Sequence, residues 1–181
     1  MAVEQDLIIK ELKMEDCTPD MLKDFNRYQD VKRCWRKENG DRILKDIPFV
    51  EQWEDNEKKE TVETLKRCIE LGGSVFGAFT GGCLVGFASV DREFIGSKKE
   101  YAHMDMLHIS FEHRSKGIGR KMFAAVCERA REFGAGKLYI SSHSSEESQA
   151  FYKAVGCVEA EEVDPAAVEK EPCDCQIEFV L

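Results

Sequence analysis

The run Arg114-Ser115-Lys116-Gly117-Ile118-Gly119 follows an apolar stretch and precedes residues with helical apolar spacing. Such a junction can hold an anion. Glycines two apart let the backbone approach a ligand closely, and the unpaired N–H groups of a first helical turn converge there at the positive end of the helix dipole. Arg114, Lys116, Arg120 and Lys121 add side-chain positive charge at the same point. The spacing is neither that of the P-loop nor that of the dinucleotide-binding fingerprint. What remains is R-x-x-G-x-G between a strand and a helix, suited to a phosphate-bearing ligand.

Two further groups could move protons. In the strand-like run Tyr101 to Ile109, Met104 and Met106 share the face that wants a core, and His103 and Asp105 share the other. Two proton acceptors just upstream of a phosphate loop are well placed to deprotonate an amine. His108 falls on the core face and reads as packing, His113 as solvated, and His143 as within reach of the site, with Asp91 and Glu93 as reserve bases. Farther on, Ser145, Ser148 and Tyr152 occupy one face of an amphipathic helix, opposite Phe151 and Val155. A phenol with a pKa of about 10 stays protonated at neutral pH and can give a proton to a leaving group.

The elements that position these groups follow from periodicity. Leu7 to Leu12 reads as a strand. Thr18-Pro19 then opens one helix, or two with a bend, in which Met21, Leu22, Phe25, Tyr28, Val31 and Trp35 recur at helical spacing until Asn39-Gly40 ends it. An irregular segment from Ile43 to Trp53 leads to a second helix over Glu57 to Leu71. Val75 to Phe79 and Leu84 to Asp91, joined by Thr80-Gly81-Gly82, form an antiparallel hairpin, and Tyr101 to Ser110 adds a strand. The helix from Ile118 to Phe133 follows the phosphate loop, with Ile118, Met122, Phe123, Val126, Cys127 and Ala130 as its apolar stripe. Lys137 to Ser141 is a strand, Ser144-x-x-Glu147 a capping box for the Tyr152 helix, and Val158 to Val163 and Cys175 to Leu181 are the last strands. The fold class is α/β (α+β), a mixed, mostly antiparallel sheet with helices on both faces.

At 181 residues, 43% of them hydrophobic, the chain can core one domain and is short for two. A net charge of -9 argues against nucleic acid and anionic membranes as partners. Met1 to Asp6 holds no basic leader region, and no apolar run reaches the roughly 20 residues that span a bilayer, so a cytoplasmic location is expected. The eight cysteines make no C-x-x-C pair and read as reduced thiols; Cys173-Asp174-Cys175 lacks a nearby His, and no metal is expected.

The R-x-x-G-x-G loop resembles the acetyl-coenzyme A loop of the GNAT superfamily of N-acetyltransferases, whose signature at this junction is [RQ]-x-x-G-x-[GA]. Ser145 to Cys157, with its Phe151-Tyr152 pair, resembles the family's later motif, although Ser145 stands where Asn is usual and Cys157 where Phe is usual. The resemblance covers about residues 74 to 181. It implies a single GNAT-like domain over 1-181, a sheet of about six to seven strands, and acetyl-CoA as co-substrate without a metal. Arg114, Ser115, Lys116, Gly117, Ile118, Gly119, Arg120 and Ser145 would then bind the cofactor. Its pantetheine would lie against the backbone of Leu107 and Ile109, in a gap between the strands ending at Ser110 and starting at Lys137. The N–H of Leu107 would serve the oxyanion.

Tyr152 takes the position of the residue that protonates the departing thiolate. His103 falls where the superfamily's histone acetyltransferases place a catalytic Glu, and His103 and Asp105 both fall where arylalkylamine acetyltransferases place His. The activity implied is N-acetylation of a primary amine by direct attack in a ternary complex, in preference to a covalent route through Cys157. The acceptor pocket would be built from Phe25 to Phe49, Phe94 to Lys99 and Val163 to Cys173. Their aromatic and acidic residues suit a small cationic amine better than a protein. Homodimers are common in the superfamily. The alternative reading is a coenzyme A-binding sensor or interaction module without catalysis.

Overall fold

The structure, a computed structural model, describes residues 6–181; residues 1–5, on which most of the reading of the N-terminus rests, lie outside the described residues. In chain order the strands and helices are β1 (Ile8–Leu12), β2 (Gln29–Glu38), β3 (Asp41–Glu51), α1 (Asp55–Glu70), β4 (Ser74–Thr80), β5 (Cys83–Val90), β6 (Phe94–Ile95), β7 (Tyr101–His103), β8 (Met106–Ile109), α2 (Ile118–Phe133), β9 (Lys137–Ser142), α3 (Glu146–Val155), β10 (Val158–Glu159), α4 (Pro165–Lys170) and β11 (Cys175–Val180). They form a four-stranded sheet in the order β1-β4-β5-β8, a five-stranded sheet in the order β10-β11-β9-β7-β6, and the separate hairpin β2-β3. All pairings are antiparallel except β7 with β9.

Helices cover both faces, as the sequence pattern requires. The stripe Ile118, Met122, Phe123, Val126, Cys127 and Ala130 of α2 is buried against Ala78, Val85, Ala88 and Leu138. On the opposite face Val62, Leu65 and Cys68 of α1 pack with Leu12, Val75 and Phe87, joined by Leu22 and Phe25. Alternation along β4 and β5 divides their side chains between these two cores.

The helix expected from Met21 to Trp35 is not formed. Residues 19–24 make turns, and the chain then runs as β2 into β3 through Asn39-Gly40. Asn39 (φ 52°) and Gly40 (φ 90°) are both left-handed, which is what a two-residue hairpin turn matching the twist of its strands needs. The buried residues of β2, Gln29, Val31 and Cys34, fall at spacings of two and then three, because the pairing register shifts between Val31 and Arg33. That spacing imitates a helical face.

The strand expected over Tyr101 to Ser110 is divided. β7 pairs with β9, β8 pairs with β5, and the last bond holding the chain to β9 runs from the Met104 N–H to the Tyr139 carbonyl (3.0 Å). The two main sheets therefore meet at β7 and part at Met104-Asp105. His103 stays beside β9, with its ring 3.1 Å from Asp91, and Asp105 falls beyond the break.

Candidate active site

The parting of β8 from β9 opens a cleft of about 450 Å³. Ser110 donates its N–H to the Val85 carbonyl on β5 (2.9 Å). By strand alternation, Leu107 and Ile109 therefore turn their N–H and C=O groups away from β5, into the cleft. Across the gap, Tyr139 turns its carbonyl to Met104, so Ser141 presents its backbone groups to the same opening beyond the last inter-sheet bond. An extended ligand can add backbone hydrogen bonds to either wall.

At one end stands the start of α2. Gly117, its N-cap, is left-handed (φ 79°), and so is Ser115 (φ 59°). Two left-handed residues bracketing Lys116 fold the loop into a concavity, and the first-turn N–H groups of α2 have no intrahelical acceptor. Arg114 donates from Nε to the Ile109 carbonyl (3.0 Å) and lies over the Phe111 ring. Gly119 admits the Phe151 ring; a Cβ there would stand 3.2 Å from it. Leu107, Ile109, Arg114, Ser115, Gly117, Gly119 and Arg120 all line the cleft. Lys116 is exposed and Ile118 is in the core, and neither lines it. These features fit a diphosphate and its pantetheine arm.

Helix α3 supplies one wall. Its N-cap is Ser145, one residue beyond the expected Ser144: the Ser145 hydroxyl accepts the Ser148 N–H (3.2 Å) and is itself reached by Gln29 (3.1 Å). Ser145 is thus buried in the wall, whereas Ser148, Phe151 and Tyr152 line the cleft. Burial raises the pKa of the Tyr152 phenol, and its hydroxyl makes no hydrogen bond among the described residues.

The other end is rich in titratable groups. Asp105 lines the cleft with Lys170 3.7 Å away, whereas His103 does not line it. His143 does, and both of its nitrogens are engaged: Nδ1 accepts the Ser145 N–H (3.2 Å) and Nε2 stands 3.4 Å from Glu51. Burial lowers its pKa. His108 also lines the cleft. Burial and then the charge of Arg27 hold it well below the usual histidine range, a neutral ring edge-on to Trp53. Asp174 accepts from the Ser141 hydroxyl (3.2 Å), and burial followed by the Glu171 charge pushes it up to about 6. The Cys157 thiol is buried outside the cleft, and burial pushes it up to about 12.

Arg27, Gln29 and Glu51 escaped the sequence reading because Arg27 and Gln29 fall in the segment expected to be a helix and Glu51 in the segment expected to be irregular. Arg27, 6% exposed, holds Gln29 (3.1 Å) and Glu51 (3.0 Å). Asn39-Gly40 between two β-prone runs was the signal for them. Among the described residues, no group of three or more His, Cys, Asp or Glu is placed to hold a metal, and no helix is long and apolar enough to cross a membrane.

Residues 26–157 match the profile of the Acetyltransferase (GNAT) family. Comparison with curated proteins gave no match. Among solved structures, nourseothricin acetyltransferase superposes with a TM-score of 0.72 at 16% identity, over 96% of this chain and 98% of that one. A putative streptothricin acetyltransferase from Bacillus anthracis str. Ames, solved with acetyl coenzyme A, gives 0.69 at 14% identity over 97% and 98%. The PaiA N-acetyltransferase of Thermoplasma acidophilum, solved with coenzyme A, gives 0.62 at 17% identity over 97% and 99%. At these identities the likeness is one of fold.

Proposed function

Because the chain belongs to the acetyltransferase (GNAT) family, we propose that it moves an acetyl group from acetyl-coenzyme A to the primary amine of a small cationic acceptor, with both substrates bound together. The observation that carries this reading is the cleft itself, with unpaired strand backbone on its walls, a left-handed anion cradle at one end and carboxylates at the other. Two of the structural neighbours bear the names of antibiotic acetyltransferases, which supports a small-molecule acceptor over a protein.

The co-substrate supplies an activated thioester, and the rest falls to the chain. The first turn of α2, with Arg114 and Arg120, neutralises the diphosphate. The Leu107 N–H donates to the carbonyl oxygen as negative charge develops on it. Tyr152 gives its phenolic proton to the departing sulfur, a role for which a raised pKa keeps it loaded at every working pH. Asp105 takes the proton that the attacking ammonium must lose, since it lines the cleft and His103 is held by Asp91 outside it.

Two measurements test the reading. Acetyl-CoA at about 100 times its dissociation constant should stabilise the chain by about 2.7 kcal/mol, read as a rise in the unfolding midpoint. With amines present, thiol release should appear and should fall about a hundredfold in Asp105→Asn. No midpoint shift at millimolar acetyl-CoA would overturn the reading. A shift without thiol release on any amine would leave a coenzyme A-binding module in its place.

A further inference from the structure

The hairpin β2–β3 is a sheet of its own, and among the described residues only its β2 edge meets further backbone. There the Trp35 N–H donates to the Ser144 carbonyl (2.8 Å), and Cys34 bridges to Ser145 at the start of α3. No strand among the described residues pairs with the outer edge of β3.

Which groups that edge presents follows from the Trp35 bond. Residues directly opposite in an antiparallel pair either exchange both of their backbone bonds or exchange neither. Trp35 turns its N–H out to Ser144, so its register partner Leu44 turns its own N–H and C=O away from β2. Arg42 and Asp46, two residues to either side, do the same. Together they offer a row of donors and acceptors to a further strand. The row is bounded by the turn at Asn39-Gly40 and by Pro48, which has no N–H to give. Between these limits lie residues 41–47, and Leu44 is their midpoint.

An exposed edge is ordinarily defended by charge. On β3 the charges are opposite in sign and equidistant from Leu44, with Arg42 on one side and Asp46 on the other. The Asp46 carboxylate has no cation partner among the described residues, and Arg42 shares Glu159 (3.8 Å) with Lys37 (3.0 Å). A second copy laid antiparallel along β3, with a two-fold axis through Leu44, sets Arg42 opposite Asp46 of the partner subunit. The axis makes that pair occur twice, and every outward backbone group of the row meets another. Other registers do worse. An axis through Arg42 or Asp46 opposes like charges, one through Lys45 opposes two lysines, and one through Ile43 leaves Asp46 facing the turn.

We propose that β3 is a self-association edge: two copies pair through residues 41–47, antiparallel about Leu44, into a continuous sheet in the order β2-β3-β3-β2. Ile43, exposed in the single chain, then lies against the stem of Lys45 of the partner subunit, while Glu38 meets the charge of Lys45 within each chain. The contact is isologous and uses up the free edge of each β3, so it closes at two copies. It does not depend on the acetyl-transfer reading.

The test is sedimentation of the full chain from about 1 to about 100 µM, over which a dimer with a micromolar dissociation constant should assemble. Arg42→Asp and Asp46→Arg, each alone, set like charges opposite one another and should weaken association at least about tenfold. Mixed in equal amounts, the two variants should regain the dimer, because one carries acids at both positions and the other carries bases at both. That recovery also shows that lost association is not lost folding. A parent chain that stays monomeric throughout, a dimer that either single substitution leaves unweakened, or a mixture that stays monomeric overturns the proposal. The acetyl-CoA midpoint shift should persist in both variants and reports separately on the acetyl-transfer reading.

Discussion

Tyr152 is buried among apolar side chains, edge-on to Phe151, with an unbonded hydroxyl at the cleft surface. A hydroxyl there is open to whatever enters the cleft. Tyr152→Phe keeps the packing and removes the proton. It should therefore lower kcat about a hundredfold and leave the acetyl-CoA midpoint shift unchanged; a small effect on kcat would make the phenol a packing residue. Asp174 shows the converse, a group whose ionisation costs the fold something. Its pKa is raised from 3.8 to about 6, so between those values the folded chain binds more protons than the unfolded chain, and stability falls as pH rises through that window. Asp174→Asn should be more stable than the parent by about 1 kcal/mol at pH 7 to 8, after discounting for its partial exposure, and the difference should vanish below about pH 4. Denaturant unfolding at several pH values reads this directly. Tyr152 was legible in the sequence because its motif carried it. Asp174 was not, because its perturbation comes from a buried setting and then the Glu171 charge, which only the fold assembles.

The start of α2 shows how a local conformation becomes a binding element. Gly117 holds φ 79°, and a Cβ there would meet nothing within 4 Å, so Gly117→Ala introduces backbone strain without a clash. That strain should cost about 1–2 kcal/mol in unfolding free energy, or be relieved by re-aiming the first-turn N–H groups. Either way the midpoint shift on acetyl-CoA should shrink along with the loss of stability. A normal shift in a destabilised variant would show that the cradle does not hold the ligand. This element was legible because glycine spacing at a strand–helix junction has few structural meanings. The β2–β3 hairpin was not. Asn39-Gly40 can end a helix or turn a hairpin, and the register shift near Val31 gave the buried residues Val31 and Cys34 a helical spacing of three. The misreading mattered for the site, since Arg27, Gln29 and Glu51 are placed by that hairpin.

At the scale of the whole molecule, the sheet is one body on either side of a seam and two bodies across it. β8 is bonded to β5 and not to β9, and beyond Tyr139 no backbone bond among the described residues closes the gap. The sequence pattern predicts strands on both sides of the seam but cannot show the seam, because Tyr101 to Ser110 carries uninterrupted strand propensity and divides only through what it pairs with. A ligand that fills the seam with its own amide groups should couple the halves. Acetyl-CoA should therefore slow hydrogen exchange at Leu107, Ile109 and Ser141, whose N–H groups face the gap, and at the first turn of α2. It should leave unchanged the β1–β4 pairing, which lies at the far edge of the four-stranded sheet and turns no group toward the ligand. Protection confined to the first turn of α2 would mean that the diphosphate is held while the pantetheine arm lies elsewhere. Uniform protection of β1 and β8 alike would mean that the ligand stabilises the fold without entering the seam. Protection at Leu107, Ile109 and Ser141 together requires a single occupant reaching from the cradle to the acids, the arrangement on which acetyl transfer in this chain depends.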